Sequence, residues 1–112
     1  MAAKKSRTSE KTVIFEITTT KPLRVGQQVF VSGNQTMLGS WSPDGLPLTR
    51  MDENTWVASA IIDPTQPLEF KITRGTWETE AVNDDGSLQT NTAIDTAKKS
   101  RIVATVRRWR DD

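Results

Sequence analysis

The residues that this chain lacks limit its chemistry as much as those it contains. It has no histidine, cysteine or tyrosine, but it has four tryptophans. The commonest general base and zinc ligand are therefore missing, and neither a disulfide nor a cysteine nucleophile can form. A glycosidase would need two facing carboxylates, and no motif marks such a pair. We therefore predict no catalytic residue, no metal site and no cofactor.

The four tryptophans fall into two groups according to their sequence surroundings. Trp41 follows Gly39 and precedes a proline-containing turn, and Trp77 lies among threonines and glutamates. Rings in such polar turns are predicted to remain partly exposed and to present a flat face to solvent. Trp56 and Trp109 alternate with apolar neighbours, which is typical of core residues on strands.

An exposed indole ring is suited to stacking on the apolar C–H face of a pyranose. Two rings set at an angle, Trp41 and Trp77, match a curved α-1,4 chain better than a flat cellulose chain. Polar side chains could bind the hydroxyl groups if the fold brings them near the rings: the ammonium of Lys71 has three donors, and the amide of Asn91 both donates and accepts. Glu78 adds an acceptor. From the residues alone, Lys71 could equally be an ordinary solvated lysine and Asn91 a turn asparagine.

Short strands separated by turn signals predict an all-β fold. β-Branched and aromatic residues recur at every second position in several segments, and no segment has a helical period. An antiparallel β-sandwich or barrel is the expected architecture. The predicted strands are Lys11–Thr20, Gln27–Ser32, Thr55–Asp63, Leu68–Arg74, Thr76–Val82 and Arg101–Trp109.

Length and charge predict one small domain with a polar tail. We expect residues 1–10 to be a disordered basic tail and residues 11–110 to form the domain. The chain begins without an apolar stretch, so no signal peptide is predicted, and no run approaches the ~20 apolar residues of a membrane helix. Both ends are basic and the middle is acidic, which we interpret as solvated ends rather than a nucleic-acid surface. The sequence does not indicate a cellular compartment.

Several landmarks occur in the order found in one known family. The segment Gly33-x(4)-Leu-Gly-x-Trp-x-Pro43, the strand Leu68–Ile72, the triplet Thr76-Trp-Glu78 and the closing strand Thr105–Trp109 together resemble the starch-binding domain of carbohydrate-binding module family 20. The similarity runs from about Lys11 to Trp109. It implies an immunoglobulin-like, antiparallel β-sandwich that recognises α-glucan without catalysing a reaction.

The resemblance also implies roles for individual residues. Trp41 and Trp77 match the tryptophans of the family's first sugar site, Lys71 its sugar-contacting lysine, and Asn91 the asparagine of an Asn-Arg pair. Thr92 stands where the family has arginine, and the segment 82–90 is longer than in the amylase-type members.

The family's second sugar site depends on tyrosines, which this chain lacks. Val25 and the segment Asp52–Glu53 align with those rings, so a single site is expected. The expected partners are an α-glucan and a catalytic domain in the parent chain. An alternative stays open, because Thr73–Glu80 also resembles starch-binding-like domains beside esterases or phosphodiesterases, which could keep the fold and bind no sugar.

Overall fold

The computed structural model describes residues 10–112. The predicted disordered tail, residues 1–10, therefore lies outside the described residues except for Glu10. Ten strands are present: β1 (Lys11–Thr19), β2 (Phe30–Gly33), β3 (Leu46–Pro47), β4 (Thr49–Arg50), β5 (Thr55–Ile62), β6 (Leu68–Thr73), β7 (Ala81–Val82), β8 (Thr92–Ile94), β9 (Arg101–Val106) and β10 (Arg108–Trp109). Two short 3₁₀ helices, Thr36–Leu38 and Trp77–Thr79, lie in the connecting loops.

The strands form two four-stranded sheets and one separate pair. The first sheet has the order β4-β5-β1-β9 and the second has the order β3-β2-β6-β8, while β7 pairs with β10. All pairings are antiparallel except β1 with β9, which run parallel. The predicted all-β sandwich is therefore confirmed, and this parallel pair is a feature that the sequence pattern did not indicate.

The hydrophobic core lies between the two sheets because strand alternation sends every second side chain inward. In β1 the side chains of Val13, Phe15 and Ile17 are fully buried, while the residues between them are half-buried. The rings of Phe15 and Phe70 meet edge to face, with centroids 5.4 Å apart. This contact joins the first sheet to the second and fixes the face of β6 that remains outside.

The predicted strand Thr76–Val82 is wrong in its first half. Residues Trp77–Thr79 form a 3₁₀ helix, and only Ala81–Val82 is a strand. The threonines explain the difference: the Thr76 amide donates to the Thr79 hydroxyl at 3.3 Å, and the Thr79 amide donates to the Thr76 carbonyl at 3.1 Å. Local hydrogen bonds of this kind compete with strand pairing.

Other boundaries differ by smaller amounts. The second strand begins at Phe30 rather than Gln27, and the last predicted strand is interrupted at Arg107, where the chain moves from one sheet to its pairing with β7. Strands β3, β4 and β8 were not predicted. Two or three residues are too few to produce a recognisable alternation.

Neither a membrane-spanning helix nor a metal-ligating group of side chains is found in residues 10–112. None of the helices there is long and apolar enough to cross a membrane. In the same residues, no three acidic or other ligating side chains are grouped so that they could hold a metal ion.

Candidate functional site

Trp41 lies in a loop whose backbone is held in an uncommon conformation. Ser40 and Trp41 have φ values of 48° and 69°, in the left-handed region that bulky residues rarely adopt. The Trp41 amide donates to the Gly33 carbonyl at 2.8 Å, which ties the loop to the end of β2. Backbone strain of this kind persists only where the surroundings enforce it, and it is concentrated at functional sites.

A close backbone approach beneath this loop helps to enforce its shape. A Cβ atom at Gly45 would lie 2.1 Å from the carbonyl oxygen of Leu38, a distance that no real side chain tolerates. Leu38 is fully buried, so the loop has little room to move away. The Trp41 ring is half-buried, so it is neither enclosed in the core nor fully exposed to solvent.

Trp77 is placed by the first 3₁₀ turn after β6. It begins the helix Trp77–Thr79, and its ring is also half-buried. Glu78 follows in the same turn, with its carboxylate exposed to solvent. The prediction that both loop tryptophans remain accessible is consistent with these positions.

One hydroxyl group connects the two tryptophan loops. The Thr73 side chain, fully buried at the end of β6, donates to the Pro43 carbonyl at 2.5 Å and accepts from the Gly75 amide at 2.9 Å. Pro43 belongs to the Trp41 loop, and Gly75 precedes Trp77 by two residues. The alternation of side chains along β6 carries no information about which distant loop covers Thr73.

Lys71 projects from the outer face of β6 and is held by a buried carboxylate. Its Nζ lies 3.2 Å from Oε2 of Glu80, and the lysine side chain is 19% exposed. The other oxygen of this carboxylate, Oε1 of Glu80, lies 3.4 Å from Nη1 of Arg110. Lys71 is therefore not an ordinary solvated lysine, although this contact is with the protein and leaves two of its three donors.

Asn91 immediately precedes β8, the strand that pairs with β6. The first residue of β8 pairs with Phe70, which puts Asn91, one position earlier, next to Lys71 in the antiparallel register. The Asn91 amide donates to Oε1 of Glu69 at 3.2 Å, and Asn91 is exposed. Lys71 and Asn91 thus share the outer face of the second sheet. Strand β6 in this sheet ends at Thr73, whose hydroxyl connects the two tryptophan loops.

The other two tryptophans are buried, as predicted. Trp56 is 3% exposed and Trp109 is 8% exposed. An arginine lies over each ring: the guanidinium of Arg50 is 5.5 Å from the centroid of Trp56, and that of Arg74 is 5.1 Å from the centroid of Trp109. These rings serve packing and cation–π contacts.

The concavities found among residues 10–112 are lined by residues other than the candidates. A concavity of about 340 Å³ between Lys21, Arg74 and Trp109 contains none of the five residues singled out from the sequence. An open face suits a polymer that must enter and leave sideways, whereas small molecules are usually enclosed in a cleft. Arg110 is a further neighbour that sequence reasoning missed, since it reaches Glu80 only through the pairing of β7 with β10.

Comparison with known proteins agrees with this architecture. The chain is 29% identical over 77 residues to an amylopullulanase of Thermoanaerobacterium thermosulfurigenes, a match that covers 64% of this chain and 4% of the relative. Among solved structures, the glycoside hydrolase family 15 glucoamylase of Hypocrea jecorina superposes with a TM-score of 0.63 at 20% identity, covering 89% of this chain and 18% of the other.

A third relative is a separate domain of similar size. The family 20 carbohydrate-binding module of the maltotetraose-forming amylase from Pseudomonas saccharophila STB07 superposes with a TM-score of 0.61 at 22% identity, covering 85% of this chain and 99% of the other. At these identities the structural likenesses establish the fold. The sequence pattern of the starch binding domain matches residues 10–103. The chain therefore belongs to that family, the non-catalytic carbohydrate-binding modules of family 20.

Proposed function

We propose that the protein binds α-1,4-glucan at a single site in which Trp41 and Trp77 stack on glucose units. The observation that carries this proposal is that the two loops bearing the half-buried tryptophans are both hydrogen-bonded to the buried Thr73 hydroxyl, one through Pro43 and the other through Gly75. The left-handed backbone at Trp41 supports it, because strain of this kind is concentrated at functional sites. Starch, glycogen, maltooligosaccharides and cyclodextrins all present this chemistry.

Polar side chains around the rings would bind the hydroxyl groups. Lys71 retains two donors beyond its contact with Glu80, and Asn91 retains its amide oxygen as an acceptor beyond its contact with Glu69. Glu78, next to Trp77, offers an exposed acceptor. Stacking on each ring contributes about 1 kcal/mol beyond area burial, by analogy with aromatic pairs. Several modest contacts of this kind suit reversible binding to a polymer.

The proposal includes only one glucan site. The chain has no tyrosine for a second platform, and Val25, which aligns with one of the missing rings, is fully exposed. A lone β-branched side chain offers no flat face for stacking. A protein with one site gains no avidity from bridging two glucan strands.

The relatives suggest what such binding would serve. The amylopullulanase and the glucoamylase are much longer chains, of which the match covers a small share. We infer that this domain likewise accompanies a catalytic domain in its parent chain and raises the local concentration of glucan around it, through effective molarity.

Calorimetric titration with β-cyclodextrin and maltoheptaose tests the proposal. We expect saturable binding at about one site per chain. Trp41→Ala or Trp77→Ala should weaken it by about tenfold or more, since each removes a stacking face and its buried area. Val103→Ala is the matched control, because it removes an exposed apolar side chain from the first sheet and should leave affinity unchanged.

The same titration decides against the proposal if the folded wild-type protein gives no heat at several millimolar ligand. The alternative function, a starch-binding-like structural or interaction domain attached to an esterase or phosphodiesterase, would then take its place. Binding that survives both tryptophan substitutions would place the sugar elsewhere on the molecule.

A further inference from the structure

Glu80 is a buried carboxylate that lies between two cations. Its side chain is 5% exposed, with Oε2 at 3.2 Å from Nζ of Lys71 and Oε1 at 3.4 Å from Nη1 of Arg110. A charge removed from water is costly unless it is paired, so these contacts determine whether the carboxylate can remain there.

The backbone around Glu80 is already fastened without the carboxylate. The Arg110 amide donates to the Glu80 carbonyl at 2.8 Å, and the adjacent residues Ala81 and Val82 pair with Trp109 and Arg108. These backbone contacts attach β7 to β10. The two ion pairs of the carboxylate are additional, and one of them is directed at Lys71.

The second cation extends the connection to the Trp77 turn. Nη1 of Arg110 also lies 3.5 Å from the Trp77 carbonyl oxygen. The carboxylate of Glu80 therefore joins Lys71 on β6, through Arg110, to the turn that carries the half-buried indole of Trp77. Sequence spacing alone gives no sign of this, since Lys71 and Glu80 are nine residues apart and on separate elements.

We propose that Glu80 is a positioning residue that holds the Lys71 ammonium in the orientation needed to bind glucan hydroxyls; this rests on the function proposed above. A free lysine carries extensive rotamer freedom, which binding must remove. An ammonium already held by a carboxylate loses less, so part of the ordering cost is met before the sugar arrives. Glu80 itself does not touch the ligand.

Charge removal at constant shape tests this role. Glu80→Gln is expected to weaken maltoheptaose binding about three- to tenfold, the range for immobilising one flexible side chain. If Glu80 acts through Lys71, the same substitution should have no further effect in a Lys71→Met background, so the double-mutant cycle should be strongly non-additive. Glu16→Gln is the matched control, because Glu16 pairs with Arg101 on the first sheet.

Two outcomes of the cycle would overturn the proposal. An equal loss of affinity in the wild-type and Lys71→Met backgrounds would mean that Glu80 acts independently of Lys71, through the fold or through Arg110 and the Trp77 turn. An unchanged affinity in Glu80→Gln would mean that Lys71 needs no orientation. Thermal unfolding of each variant establishes that the comparison is made between folded proteins.

A measurement without sugar separates this proposal from the proposed function. Nitrogen-15 relaxation at Lys71 Nζ reports the order of the ammonium directly. We expect a restricted ammonium in the wild type and a mobile one in Glu80→Gln, with Glu16→Gln resembling the wild type. Equal mobility in the wild type and Glu80→Gln would overturn the inference, whether or not the protein binds glucan.

Discussion

The two pairs of tryptophans differ in what covers their faces. Trp56 and Trp109 lie on strands, are buried, and each carries an arginine guanidinium over its ring. Trp41 and Trp77 lie on loops and are half-buried, and within residues 10–112 neither has a cation stacked on it. The core rings are buried and have an arginine over one face, whereas the loop rings keep some surface accessible to a partner from solution.

The difference teaches that exposure of the loop tryptophans is held in place by specific contacts. A large apolar ring in a flexible loop would lower its free energy by collapsing onto the protein. At Trp41, the left-handed backbone and the bond to Gly33 oppose such a collapse. At Trp77, the short helix does the same. Substitutions that act on one pair and spare the other can test this contrast.

The largest expected effect is on stability, at the core pair. Trp56→Ala should lower the free energy of unfolding by about 3–5 kcal/mol, because it leaves a cavity between the sheets and removes the partner of Arg50. Urea denaturation measures this change. Trp77→Ala is the matched comparison and should cost clearly less. Similar losses for the two variants would mean that Trp77 is a packing residue and would break the contrast.

A smaller effect is expected from the backbone at Trp41. Trp41→Gly should be more stable than Trp41→Ala by roughly 0.5–1 kcal/mol, since glycine relieves the left-handed strain while losing more chain entropy on folding. Neither variant has a ring, so only the backbone differs between them. Urea midpoints of the pair give the value.

Glu78 provides a control for the sign of this effect. It lies in the short helix after β6, and its φ is outside the left-handed region. Glu78→Gly should therefore be less stable than Glu78→Ala. If alanine were also the more stable at position 41, the strain assigned to Trp41 would be absent.

The smallest effect concerns the turn that supports the Trp41 loop. Gln35 and Asp63 exchange hydrogen bonds through the glutamine side chain, at 2.7 and 3.1 Å. The Thr65 hydroxyl and amide donate to the Asp63 carboxylate and hold its pKa below the ordinary value. A lowered pKa contributes stability that is fully present above the unfolded-state pKa and is lost as pH falls through the folded-state pKa.

Stability is therefore expected to fall as pH drops below about 4, the ordinary value for aspartate, and part of that fall should come from Asp63. Thr65→Val removes the hydroxyl donor and should reduce the difference in the free energy of unfolding between pH 7 and pH 3. Urea midpoints at the two pH values measure this difference. An identical pH dependence in the two proteins would count against the assigned role of Thr65.

Local patterns in the sequence were sufficient to predict most of the fold. The alternation in β1 and β6 identifies strands directly, because one side chain in two must face the core. The assignment of Trp56 and Trp109 to the core follows from the same alternation. Residues 77–79 were misassigned because the Thr79 hydroxyl offered the backbone a local alternative, accepting from the Thr76 amide and donating to the Thr76 carbonyl.

The candidate site was less predictable because its connections are long-range. The indole and lysine side chains could be singled out by type and surroundings, and their role in sugar binding remains a prediction. The positive φ of Trp41 and the pairing of Lys71 with Glu80 depend on elements brought together only in the folded chain. Thr73 shows this most clearly, since its hydroxyl bonds to a carbonyl 30 positions earlier.

The absence of tyrosine has a spectroscopic consequence for the division among the tryptophans. Nearly all near-ultraviolet absorbance and emission of this protein must come from the four indoles. Two of them are open to a small quencher such as acrylamide, while the other two are shielded by the core. The buried pair thus provides a built-in reference signal, against which shielding of the exposed pair by any bound molecule can be read without a label.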